Sequence, residues 1–123
     1  MKRFADLFDL TQLPQYQKTI IIAKKLLDPS IDQAIRNAIV TYLNKVGYPS
    51  IMDLSEWYDT QRIELFRVLY HMSRSQVSEK VLAAYAWELV EFDYATVEED
   101  TEIGPMIEYY ASLAHSHSDI SES

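Results

Sequence analysis

Apolar side chains recur every three to four residues through most of the chain, the spacing that gathers them on one side of a helix. The clearest stretch is SIDQAIRNAIVTYLNKVG, in which Ile31, Ile35, Ala38, Ile39, Tyr42 and Val46 make one stripe. Ser30 and Gln33 have capping-box spacing, where the hydroxyl takes an early backbone N–H and the amide reaches back. Gly47 supplies a stop because glycine tolerates positive φ, and Pro49 blocks continuation. Before it, a helix is predicted from about Pro14 to Leu27, closed by Asp28-Pro29. The β-branched run Ile20 to Ile22 also suits a strand. The pattern running from Tyr16 and Ile20 into Leu26 and Leu27 predicts helix. A further short helix is expected over Lys2 to Asp9, with Phe4 and Phe8 on one side.

From Ser50 to Arg74 the pattern is again helical, with a break near Asp59-Thr60 and an apolar face through Phe66, Leu69 and Met72 or Ser73. The next helix, from about Gln76 to Tyr94, carries Val77, Val81, Tyr85, Leu89 and Phe92 on one stripe, broadened by Leu82 and Trp87. It is apolar around much of its circumference, which predicts the central position in the fold. TVEE, Thr96 to Glu99, repeats the capping pattern, and Gly104-Pro105 separates it from MIEYYASLA. The tail HSHSDISES is small and polar, the composition of a disordered end. The predicted fold is all-α: a compact bundle of about five helices, one domain over residues 1–114, with a disordered polar tail over 115–123.

Composition narrows this further. At 123 residues with 48% hydrophobic content, the chain is long enough to build one core. It has two glycines and no cysteine, too few glycines for a turn-rich β protein and no thiolate for a disulfide or metal site. The acidic residues Asp6 and Asp9 interrupt what would have to be the apolar part of a signal peptide. No apolar run approaches the ~20 residues of a membrane span. These features predict a cytoplasmic protein without a membrane partner.

Charge changes the picture most. Net charge is −8, and no Lys or Arg follows Lys80, while ten carboxylates fall in those last 43 residues. Six of them lie between Glu91 and Glu102. Such a field repels phosphate backbones, so no direct nucleic-acid partner is expected. An acidic run is ordinarily a solvated face. This one forgoes local ion pairing and accumulates self-repulsion, which a basic protein partner would relieve. Tyrosines within it could act as anchors. The expected partner-binding set is Glu91, Asp93, Tyr94, Glu98, Glu99, Asp100, Glu102, Glu108, Tyr109 and Tyr110.

Other candidate chemistry is thin. Glu64, Arg67, His71 and Arg74 share a helix face, without a nucleophile or oxyanion donor visible beside His71. His115 and His117 alternate like metal ligands, but no further ligand accompanies them beyond Asp119. Glu88 and Glu91 lie at i, i+3 without the Glu-x-x-His of a di-metal bundle. No cofactor, metal or catalytic role is therefore expected. The favoured function is a non-enzymatic acidic regulator or inhibitor of a basic protein, a class that includes nucleic-acid-binding proteins. The alternative is a structural subunit or assembly chaperone using an apolar aromatic interface. In composition alone, the chain is similar to small acidic helical inhibitors made by bacteriophages and to immunity proteins against nuclease toxins.

Overall fold

The computed structural model describes the backbone from Gln15 to Glu122 and the side chains from Gln17 to Ala114. The helix expected over Lys2 to Asp9 lies outside the described residues. Within them the chain forms six α-helices: α1 (Gln15–Lys24), α2 (Gln33–Val46), α3 (Asp59–Tyr70), α4 (Glu79–Phe92), α5 (Tyr94–Glu99) and α6 (Gly104–Glu122). Two 3-10 turns, Lys25–Leu27 and Met52–Leu54, sit in the connections. There is no strand among the described residues.

Ile20 to Ile22 are helical. Thr19, Ala23 and Leu26 make the buried side of that segment, while Ile21 faces outward. The turn after it is closed by Asp28, whose carboxylate accepts from both the amide and the hydroxyl of Ser30. Ser30 is thereby occupied and does not cap α2. Asp32 does, accepting from the Ile35 amide at 2.9 Å. The buried stripe of α2 is also rotated from the one predicted: Ile39, Val40 and Leu43 face the core, and Ile35 is exposed. Gly47 ends α2 at φ 105°, where a side chain would be strained.

The break predicted near Asp59 is the start of α3. Gln61 reaches back to accept from the Tyr58 amide at 3.0 Å, so Tyr58 takes the cap position. Phe66 and Leu69 are buried as predicted, joined by Ile63 and Leu65, and of the two residues offered for the end of the face Met72 is buried and Ser73 exposed. Ser78 caps α4, accepting from the Val81 amide. Helix α4 is the central element: it packs most extensively on α6 and also meets α3 and α5. Leu82, Tyr85, Ala86 and Leu89 fill its inner face. Phe92 and Trp87 do not join them and remain exposed.

Thr96 does not cap a helix. It lies within α5, and its hydroxyl donates to Asp59 at 2.6 Å. Gly104 opens α6, and a Cβ there would stand 2.3 Å from the Val97 carbonyl oxygen. Glycine is needed at this position so that the two helices can approach. The backbone of α6 runs to Glu122. No glycine or proline stands after Pro105 to stop it. His115 and His117 are beyond the described side chains.

Candidate partner-binding surface

The acidic third is built around two arginines from α3. Arg62 holds Asp93 through two bonds, Nε to Oδ2 and Nη2 to Oδ1, each 2.8 Å. Its Nη1 donates to the carbonyls of Leu54 and Trp57 at 3.0 and 2.7 Å. A single guanidinium thus joins the 3-10 turn, the start of α3 and the corner between α4 and α5. The side chains of Arg62 and Asp93 are only 13% and 5% exposed, so both charges depend on this pairing. The Asp93 hydrogen bonds raise the Arg62 guanidinium further above its ordinary value.

Arg67 organises the other end of α5. It pairs with Glu64 at 3.0 Å, Asp100 at 2.6 Å and Glu102 at 3.5 Å. The second oxygen of Asp100 accepts from the amides of Glu102 and Ile103, both at 3.0 Å. Those backbone hydrogen bonds, with the nearby Arg67, hold the Asp100 carboxyl below its usual range. Asp59 is lowered as well, first by its bond from Thr96.

These contacts divide the predicted residues. Asp93 and Tyr110 are buried and are not available to a partner. Asp93 is turned inward by Arg62, and Tyr110 packs against Phe66 and Tyr70 with ring centroids 6.1 and 6.2 Å away. Asp100 is committed to Arg67, whereas Glu102 reaches Arg67 only at 3.5 Å and its side chain stays 85% exposed. Glu91, Tyr94, Glu98, Glu99, Glu108 and Tyr109 are exposed. None of the four glutamates makes an ion pair among the described residues. The exposed residues of the α4–α5 corner and of α5 are therefore Glu91, Tyr94, Glu98 and Glu99, with Phe92, which periodicity had assigned to the core. Phe92 is 57% and Tyr94 48% exposed, on either side of the anchored Asp93. Phe92 is the last residue of α4, where the core gives out; nothing in its spacing distinguishes it from a core position.

The remaining candidates have local roles. Glu88 accepts from the Ile51 amide at 2.9 Å and so steadies the 3-10 turn. Glu64 is held by Arg67. His71 is exposed at the edge of a hollow of about 220 Å³ shared with Arg36, Glu64 and Arg67, and its ring meets Tyr70 at 5.2 Å. Among the described residues no group of three or more His, Cys, Asp or Glu is arranged to hold a metal ion. No described helix is long and apolar enough to cross a membrane. No protein family matches the chain, and neither does any curated protein or solved structure.

Proposed function

We propose that the protein is a non-catalytic, cytoplasmic regulator or inhibitor that docks a basic protein through the α4–α5 corner. The observation that carries this reading is the pairing of exposed aromatics with unpaired carboxylates on a braced backbone. Phe92 and Tyr94 supply apolar contact area, and the exposed Glu91, Glu98 and Glu99 flank them along the chain with one sign of charge. Interfaces commonly use aromatic anchors with a polar rim. The Arg62–Asp93 pair fixes the corner before binding, which lowers the ordering cost of association. The acidic field steers a cationic partner and disfavours nucleic acid itself.

A partner captured from the native host by the wild-type protein provides the test, followed by binding kinetics across a salt series. Changing Glu91, Glu98 and Glu99 to Gln should slow association by about tenfold at low salt and much less at high salt. Phe92→Ala with Tyr94→Ala should instead speed dissociation. Unchanged association for the triple variant at low salt would reject electrostatic docking. Salt-independent binding that depends on Phe92 and Tyr94 would favour the second reading, a subunit or assembly chaperone packing through exposed aromatics.

A further inference from the structure

Helix α4 carries the acidic corner into an apolar cleft. Between α4 and the loop after α2 lies a hollow of about 340 Å³ walled by Tyr48, Pro49, Val81, Ala84 and Tyr85, with Glu88 at one end and Lys80 at the other. The walls are braced. The Tyr85 hydroxyl donates to the Pro49 carbonyl, and the Tyr48 and Tyr85 rings meet edge-on with centroids 6.2 Å apart. The Tyr48 hydroxyl donates to Asn44 at 2.7 Å, so its polar end is already satisfied and its ring is left to face the cleft. A hollow of this size, mostly apolar with a few polar groups at its ends, has the character of a recognition pocket.

The cleft and the corner form one surface. Ala84, Glu88 and Glu91 stand at i, i+4 and i+7 on α4, and Phe92 follows Glu88 by four residues. At 1.5 Å per residue, Glu91 lies about 10 Å along the axis from Ala84. The Glu88 carboxylate thus stands at the corner end of the cleft, with Glu91 about a turn beyond it on α4, and the cation of Lys80 stands at the opposite end.

We propose that this cleft anchors one large apolar side chain of the basic partner, presented by an amphipathic helix lying along α4. The inference rests on the docking reading and adds the anchor to it. A helix delivers side chains at i, i+3, i+4 and i+7, the spacing that α4 itself offers. With the anchor over Ala84, partner cations one to two turns toward the corner meet Glu88 and Glu91. Cations on the opposite side meet Lys80 and are repelled. The partner helix therefore carries Lys or Arg on one side of its anchor only.

The test uses synthetic amphipathic peptides with one central Phe and basic residues on one side of it. Binding is followed by fluorescence anisotropy and by amide shifts of Val81, Ala84 and Glu88. Replacing the central Phe by Ala should weaken binding to the wild type about tenfold or more, the effect of losing roughly one buried side chain. Ala84 is exposed, so Ala84→Phe fills the cleft mouth without entering the core, and Ala84→Met serves if it disturbs folding. On either variant the same peptide change should matter less than about twofold, because anchor and cleft form one coupled pair. An equal loss on wild type and variant overturns the anchor. Shifts confined to α5, abolished by Glu98→Gln with Glu99→Gln and indifferent to Ala84→Phe, overturn the anchor and leave the docking reading standing. No binding of any basic peptide at low salt overturns both. Concentration-dependent shifts at the same amides without peptide assign the cleft to a second copy and also overturn the proposal.

Discussion

At the scale of residues, Arg62 and Gly104 set what the corner tolerates. Asp93→Ala leaves a mostly buried guanidinium without its counterion and should cost about 3–5 kcal/mol in urea unfolding. Replacing both partners by apolar residues is often harmless for a buried pair. Here it should remain destabilising, because the carbonyls of Leu54 and Trp57 lose their donor as well. Gly104→Ala forces a methyl group onto the Val97 carbonyl and should cost about 1–3 kcal/mol, measured in the same way. The two glycines were not equally legible. Gly47 follows a periodic helix and precedes a proline, which is local information. Gly104 reads locally as a helix breaker, yet its reason is a close approach to another segment. Asp93 was likewise legible as an acid but not as a buried one, because its partner stands 31 residues earlier.

At the scale of elements, α5 is a short segment strapped onto α3 by Asp93, Thr96 and Asp100. Asp59 and Asp100 have folded-state pKa values below the ordinary carboxylate range. Their stabilisation is complete above the unfolded value, about 4, and is lost as pH falls through the depressed folded values. The melting temperature should therefore drop below about pH 4, and Asp100→Asn should make that drop shallower while lowering the plateau at pH 7. Thermal scans from pH 7 to pH 2 check both. Helix existence was legible here because the apolar spacing is strong. Which residue caps α2, and which stripe it buries, was not. Ser30 and Asp32 are both competent caps, and Asp28 decides between them by engaging Ser30 first.

At the scale of the whole molecule, the acidic third separates into carboxylates that hold the fold and carboxylates that face solvent. Neutralising Glu98 and Glu99 to Gln should leave the melting temperature unchanged or raise it slightly, since it removes self-repulsion and no ion pair. Weaker partner binding at equal or greater stability is the signature of residues kept for recognition. Sequence alone located this region but could not divide it, because the division is made by Arg62 and Arg67 from a distant helix. The same arrangement has a consequence for biosynthesis. At 5–20 residues per second, the ribosome needs roughly 2–6 s to travel from Arg62 to Asp93. Throughout that interval a nascent chain carries the arginine without its counterion, so α3 has no settled site until the acidic corner has been translated. Arrested nascent chains ending before residue 93 should therefore be cleaved readily by protease, and chains extended well beyond residue 104 should resist.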